Sequence, residues 1–516
     1  MNKKWDLEAD VVVVGYGLAG ATAAVAAHDA GASVLLMEKL AVAGGNSILA
    51  GGGFIYSTDV KGAIKYLKAC SGDRVDEDVI NFMARGLVEF PSYLNQFAEA
   101  VGATIEFLDA PHLFYPFPGR DSFRALKVSS LAGKERLEAQ VKSMFTMDDR
   151  GVGTQERGGR TIMGMMFRNI ERRSIKTMLS TPAKRLVQDP QGRVVGLVAE
   201  STGSTIAVKA SKGVILACGG FEFNDWLKKQ YCEIQPVYGV GCPGNTGDGI
   251  LMSQKAGAAL WHMWHLHGSY GFKFPECRQA FRLPLAGAYN PKQPAKLCWI
   301  LVNKDGKRFM NEAIPFLQDS GYRWMQSMNT DFYNTRTGLP EYTHIPCYLI
   351  LDDEGIKQGP IANPMALLEE DEYRWSEDNK LEIEKGWITQ ADTIRELAER
   401  NGIDPSELEN TVSRWNSHCK NGEDSDFLRN PGSMAPIVTP PYYAVQCWPI
   451  VTNTQGGPQF NSKCQIVDPY GEPIRGLYKA GELGSFYGHL YILGGNLSEC
   501  VIEGKTAGEN AAAELP

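Results

Sequence analysis

The chain opens with two apolar blocks separated by a glycine-rich break. Ala9–Val14 is a short run dominated by β-branched valine, the pattern of a strand buried on both faces of a parallel sheet. Ala21–Ala30 is alanine-dense and helix-prone and stops at Gly31, after which Ser33–Met37 forms a second apolar run ending in Glu38. This order predicts a βαβ unit. Farther on, Lys184–Val187, Val194–Ala199 and Thr205–Ala210 alternate around Pro190, Gln191 and Gly192, as an antiparallel hairpin would, and Gly213–Ala217 reads as a buried strand. Ile300–Asn303 and Arg308–Met310 flank an Asp305-Gly306 turn, a second expected hairpin. Asp404, Pro405 and Glu407 mark the start of a helix reaching about Cys419, and Gly422–Pro441 is polar and proline-rich, a linker.

The break itself is Gly15-Tyr16-Gly17-Leu18-Ala19-Gly20, lying between strand and helix, with Glu38 placed 18 residues after its last glycine. Such a turn lets the backbone approach a pyrophosphate at the helix N-terminus, and the acid takes a ribose hydroxyl pair. An adenine dinucleotide is expected. A second formal match, Gly239-Val240-Gly241-Cys242-Pro243-Gly244, follows no clear parallel strand and contains Pro243, so it is read as no site.

With 43% hydrophobic and 22% charged residues, the 516-residue chain is neither disordered nor fibrous, and two or three domains are expected. A net charge of −8 gives no basic footprint for nucleic acid. The 11 cysteines stand singly, without a C-x-x-C pair, and no acid or Cys with metal-site spacing joins His262, His265 and His267; cluster, haem and metal are not expected. Lys3 and Lys4 before the apolar stretch Val11–Ala27 imitate a signal peptide, but Asp6, Glu8 and Asp10 interrupt the pattern and cleavage would remove the dinucleotide motif. No run approaches the about 20 apolar residues of a membrane span. A cytoplasmic protein is expected.

Beyond Glu38 and Lys39 come Gly44-Gly45-Asn46-Ser47 and Gly51-Gly52-Gly53, a second glycine-rich stretch that nicotinamide enzymes do not need. Together with the first motif, it resembles the flavoprotein subunit family of fumarate reductases and succinate dehydrogenases, which also holds soluble 3-ketosteroid dehydrogenases. Cys218-Gly219-Gly220, Asn245-Thr246-Gly247-Asp248, the stretch LVNKDGKRFMNE, Gly481-Glu482 and Gly494-Gly495-Asn496-Leu497-Ser498 continue the match in order. The resemblance implies FAD, with Ala183, Lys184 and Ala217 also on the cofactor, and non-covalent attachment, because Ala43 stands where covalent members carry a His. It implies an α/β fold: a Rossmann-type, doubly wound FAD-binding domain formed by residues 1–262 and 435–516, with an inserted α+β capping and substrate domain at 263–434. Glu482 would meet the ribityl chain, and the helix opened by Gly494-Gly495-Asn496-Leu497 would point its N-terminus at the flavin.

Fumarate-type members clamp two carboxylates with a His and Arg residues. Here Tyr487 replaces the His, no Arg lies between Lys479 and Lys505, and Ala313–Phe316 stands where the donor Arg belongs, so a dicarboxylate would lack its counter-charges. Tyr491-Ile492-Leu493-Gly494-Gly495-Asn496 instead resembles the Tyr-x-Ser-Gly-Gly-Asn end of 3-ketosteroid Δ4-dehydrogenases, with Leu493 in place of the Ser. Carried over, Tyr491 is the acid/base at the carbon α to a ketone, the Gly495 N–H polarises the ketone oxygen, Tyr487 or His489 supports the Tyr, and hydride is exchanged at flavin N5. Phe316, Tyr322, His489 and Leu493 are the substrate-side candidates. His262, His265 and His267 are expected to line or pack the cap. The expected partners are a bulky apolar ketone, of 3-oxosteroid or bile-acid type, and a separate electron donor or acceptor. A small unsaturated acid of urocanate or cinnamate type, held by a single cation such as His489 or Arg323, is the alternative; a flavin-binding protein without turnover is the third reading.

Overall fold

The central strand β1 (Leu7–Val14) sends alternate valines to opposite sides: Val11 and Val13 enter one hydrophobic core, Val12 and Val14 another. That two-sided burial is why the run shows no polar alternation. The structure, a computed structural model, describes residues 5–108, 114–131, 158–283, 296–313, 331–333, 340–362, 373, 375–492 and 494–515. After β1 comes α1 (Leu18–Asp29), buried from Leu18 to Ala27, then β2 (Val34–Met37), parallel to β1 with Val14 opposite Met37. Next come α2 (Gly45–Leu49) and β3 (Gly53–Ser57), α3 (Val60–Ser71) and α4 (Glu77–Glu99), and β4 (Ala103–Leu108) and β5 (Phe123–Leu131). Strands β3, β5 and β4 form a small antiparallel sheet.

Helix α5 (Gly158–Arg172) leads to the edge strand β6 (Lys176–Met178), followed by β7 (Ala183–Gln188), β8 (Val194–Ser201) and β9 (Ser204–Leu216). The expected hairpin is present, but the last two strands read from the sequence are one 13-residue strand. Its first part pairs antiparallel with β8 and its second runs parallel to β1, with a register shift opposite Ala9 and Val11. Ser211 is held there by Asp10 at 2.8 Å. The polar Ser211-Lys212 pair thus interrupts the apolar pattern without ending the strand.

The chain then forms α6 (Asp225–Tyr231), β10 (Tyr238–Gly239), α7 (Asp248–Lys255) and β11 (Leu260–Trp261) before entering a second layer. This contains β12 (Leu266–Phe272), β13 (Phe281–Arg282), β14 (Trp299–Val302), the ribbon β15 (Asp331–Tyr333) and β16 (Pro340–Tyr342), and β17 (Cys347–Asp352). Helices α8 (Asp353–Ile356) and α9 (Lys380–Glu384), β18 (Thr389–Ala391), and helices α10 (Ile394–Asn401) and α11 (Pro405–Asn421) follow. Asp404 caps α11 by accepting the Glu407 N–H at 2.8 Å, as its sequence signature predicts. The hairpin expected at Asp305-Gly306 is only a turn closed by a single bridge, Val302 to Arg308. Arg308 is drawn instead into buried ion pairs with Glu312 at 2.8 Å and Asp424 at 3.0 Å.

Strand β19 (Tyr442–Thr454) is the spine of the second sheet, ordered β13-β12-β19-β17-β14, with β10 and β18 also against it. Residues 435–516 therefore cross the second layer before β20 (Gly457–Pro458), β21 (Gln465–Val467) and β22 (Pro473–Lys479). The first sheet is ordered β21-β22-β9-β1-β2-β6, with β8 on β9 and β7 on β8. The last helix, α12 (Gly495–Ala513), lies so close to α1 that a Cβ on Gly508 would stand 2.5 Å from the Ala23 carbonyl oxygen. Among the described residues no helix is long and apolar enough to cross a membrane.

Candidate active site

At the carboxyl ends of β1, β2, β9 and β22 lies a cavity lined by residues from all four of these chain regions. Its floor is the turn into α1. A Cβ on Gly15 would meet the Ala217 carbonyl oxygen at 2.2 Å, and one on Gly20 would meet the Gly15 carbonyl oxygen at 1.8 Å. Gly17 is different: a Cβ there would find no protein atom closer than Ser47 Oγ at 3.5 Å, so its open side belongs to the cavity. Leu18 and Ala19 line the floor as well, and the first turn of α1 presents backbone N–H groups to it. Glu38 stands on the wall, its two oxygens accepting the Tyr16 and Leu40 N–H groups at 2.9 Å each, while burial pushes its pKa up.

The second glycine stretch divides. Gly45, Asn46 and Ser47 line the cavity: Ser47 Oγ accepts the Leu18 N–H at 3.1 Å, and Asn46 Oδ1 accepts the Cys242 N–H at 2.8 Å. Gly44 precedes them as the N-cap of α2. Gly51, Gly52 and Gly53 are not among the cavity-lining residues; Gly52 packs on Gly158, where a Cβ would come within 2.4 Å of its Cα. Ala183, Ala217, Gly219, Asn245 and Asp248 line the cavity, but the Lys184 side chain turns to the surface to pair with Glu200 at 3.0 Å. Lys39 Nζ pairs with Asp248 at 2.6 Å and donates to Thr246 Oγ1 at 2.7 Å, a strut between the first βαβ unit and the loop before α7. Gly247 is packed against Leu227. Gly481 sits against Ala19 and Cys500, Gly220 fits between Thr454, Glu222 and Glu482, and Glu482 faces the cavity.

The segment between β22 and α12 is held from both sides. Phe486 N–H donates to Glu499 at 2.5 Å, Ser485 Oγ to Glu499 at 2.8 Å, and Asn496 joins Asn453, Gln455, Ser485 and Glu499 in a side-chain amide network. His262 Nδ1 lies 2.8 Å from the Ser485 carbonyl oxygen and His265 Nδ1 2.7 Å from that of Tyr487. Both histidines therefore brace this loop. Burial pushes the His262 pKa down to about 4.

Tyr487 and Tyr491 meet edge to face with ring centroids 5.8 Å apart, and both are buried. The Tyr491 hydroxyl is approached by the Gly494 and Asn496 N–H groups at the start of α12; burial raises its pKa and these donors oppose the rise. The Tyr487 hydroxyl lies over Gly495, 2.6 Å from where a Cβ would stand, and has no partner among the described residues. The Gly495 N–H is not available for a ketone oxygen: it donates to the Ile492 carbonyl at 2.7 Å, closing the turn into the helix. Ser498 is likewise taken from the cofactor, since its hydroxyl donates to the Ile55 carbonyl at 2.7 Å and accepts the Ile55 N–H at 2.9 Å. Leu497 is half-buried against the core, and the His489 ring packs on Gly72 at the end of α3. Phe316, Tyr322, Arg323 and Leu493 lie outside the described residues.

Three residues that bear on this region escaped the sequence reading or were read too weakly. His267 on β12 lies against Tyr491 with centroids 4.4 Å apart and planes tilted by 50°, its Nδ1 unpartnered among the described residues, and burial, helped by the positive charge of Arg282, pushes its pKa to about 3. Arg282, on β13 beside β12, thus acts electrostatically on His267. Glu222, fully buried after β9, sits beside Glu482 and carries an unpartnered Oε2. Its only sequence signal is an acid within the apolar run Phe221-Glu222-Phe223.

These features fit a flavin dinucleotide. Gly17 and the α1 N-terminus suit a diphosphate, Glu38 a ribose, and the orphaned Asn245 Nδ2 with Glu482 suits the hydroxyls of a ribityl chain. Ala43 is buried and offers no atom for a covalent bond.

A family model described as FAD binding domain matches residues 10–497. A urocanate reductase of Eggerthella lenta is 30% identical over 512 residues, covering 98% of this chain and 75% of that protein. A 3-oxosteroid 1-dehydrogenase of Mycobacterium tuberculosis is 28% identical over 569 residues, covering 94% of each. The crystal structure of 3-ketosteroid Δ1-dehydrogenase from Sterolibacterium denitrificans, in complex with 1,4-androstadiene-3,17-dione, superposes with a TM-score of 0.75 at 23% identity, over 98% of this chain and 99% of that one.

Proposed function

Since the chain belongs to the FAD binding domain family, we propose that it moves hydrogen across the carbon–carbon bond next to a ketone, on a bulky apolar substrate of 3-oxosteroid or bile-acid type. At the coarser level it is a flavin-dependent oxidoreductase acting on carbon–carbon bonds, the chemistry it shares with its relatives. Bound FAD supplies hydride exchange at the carbon β to the carbonyl.

The observation that carries the ketone reading is the environment of Tyr491. Its hydroxyl is buried and protonated, and two backbone N–H groups with the positive end of α12 stand ready to stabilise the phenolate left when it gives its proton to the α carbon. Tyr487, whose hydroxyl has no partner among the described residues, is the donor for the ketone oxygen, the role the Gly495 N–H cannot fill. Neutral His267 lies against the Tyr491 ring. A separate electron donor or acceptor completes the cycle.

One observation favours a second substrate class. Arg282 acts electrostatically on His267 and could hold the single carboxylate of a urocanate-like acid, and a urocanate reductase is among the relatives. A panel separates the two. Flavin-loaded protein, reduced anaerobically, is mixed with 4-ene and 1-ene 3-ketosteroids, urocanate, cinnamate and fumarate while the flavin regains its colour. Fast recovery with the ketones supports the first reading; recovery with the acids alone replaces it with the second.

A further inference from the structure

Two buried carboxyls converge on one backbone N–H. Glu222, in the turn after β9, and Glu482, in the turn after β22, each place Oε1 3.0 Å from the Thr454 nitrogen at the end of β19. A Cβ on Gly220 would lie 2.8 Å from one of these oxygens and 2.9 Å from the other, so a glycine is what lets the two acids meet. Glu222 has no exposed surface, and its Oε2, faced by the Asn245 amide, closes no hydrogen bond among the described residues. Glu482 opens on the cofactor cavity.

The ionisable groups facing the pair do not neutralise it. They are Glu499 and Cys500 from α12, Tyr491 from the loop before that helix, and Cys242 from the loop before α7. Lys479 on β22 is bound to Glu503 at 2.7 Å, and Lys39 to Asp248 at 2.6 Å. Two buried carboxyls converging on one backbone N–H cannot both ionise without strong repulsion, so the pair keeps one proton.

We propose that Glu222 and Glu482 form a one-proton acid pair that takes up a second proton from water when two electrons are loaded on the FAD in the adjoining cavity, and returns it when they leave. This rests on the cavity being the FAD site. The electrons come from the external donor; the charge they add next to Glu482 raises the proton affinity of the pair. The hydride and proton delivered to the substrate are separate from this proton, which starts and ends in bulk water.

The test uses the holoenzyme. A reduced-minus-oxidised infrared spectrum at neutral pH should show a protonated-carboxyl stretch already present in the oxidised protein and stronger in the reduced one. In parallel, the flavin midpoint potential is titrated electrochemically across pH: Glu222→Gln should take up one proton fewer per two electrons than wild type and lose the infrared change. If Glu222→Gln does not retain flavin, the wild-type spectrum decides alone. Yellow holoenzyme without that band, or with the same proton count in both proteins, overturns the proposal. Colourless folded protein would instead overturn the FAD reading beneath it.

Discussion

The imidazole of His267 and the phenol of Tyr491 lie with ring centroids 4.4 Å apart and planes inclined at 50°. Burial holds both in their neutral forms, the imidazole pKa pushed down to about 3 and the phenol raised. A group that never charges leaves no mark on a pH profile. Turnover at saturating substrate should therefore show no inflection near about 6.5, where an ordinary histidine titrates. An inflection there that vanishes in His267→Gln would show that the imidazole works as a charged group.

The glycines of the first turn separate cofactor contact from folding. Gly17→Ala adds a methyl that meets no protein atom closer than 3.5 Å but enters the cavity, whereas in Gly20→Ala the methyl lies 1.8 Å from the Gly15 carbonyl oxygen. Gly17→Ala should stay folded, with near wild-type circular dichroism, and bind FAD at least about tenfold more weakly, since one displaced contact of about 1.4 kcal/mol suffices for that. Gly20→Ala should lose both stability and flavin. Wild-type flavin affinity in Gly17→Ala would remove the turn from the diphosphate site.

Ser498 ties α12 to β3 through both backbone groups of Ile55. Ser498→Ala leaves a buried N–H and carbonyl without that partner and should cost about 1–3 kcal/mol in urea unfolding of the holoenzyme, with an unchanged flavin spectrum. Lost flavin at unchanged stability would return Ser498 to the cofactor.

His262 gives the fold a calculable pH dependence. Its pKa is near 4 when folded, against about 6.5 unfolded. Below about 6.5 the unfolded chain therefore binds a proton the folded chain refuses, and this residue's contribution to stability is lost as pH falls toward 4. His262→Gln loses the bracing of the Ser485 carbonyl but escapes that titration. Its deficit relative to wild type should be about 2 kcal/mol smaller near pH 5 than near pH 8, by denaturant midpoints. A deficit constant with pH would mean that His262 titrates alike in the folded and unfolded chains, so that burial does not lower its pKa.

What was legible in the sequence was local. Gly15, Gly20 and Glu38 fall within one βαβ unit, where spacing alone fixes who meets whom, and the Asp404 cap lies three residues from the N–H it accepts. The pairs that give the site its chemistry are distant in sequence. Glu222 meets Glu482 across the parallel sheet, and His267 reaches Tyr491 from the other layer because β12 pairs with β19. Strand β19 shows the same limit: a proline-rich stretch before it marks a break in the chain, but only tertiary pairing makes Tyr442–Thr454 the spine of the second sheet. Gly495, Ser498 and Lys184 stand where the motif expects them, yet their polar groups bind Ile492, Ile55 and Glu200, choices set by turn closure and packing.

The central claim is that an uncharged tyrosine, Tyr491, moves the proton at the α carbon. Stopped-flow reoxidation of anaerobically reduced holoenzyme by a 4-ene 3-ketosteroid, in wild type and Tyr491→Phe, tests it directly. The phenylalanine variant should bind flavin normally and reoxidise about 10²–10⁴-fold more slowly. Equal rates in the two proteins would contradict the account.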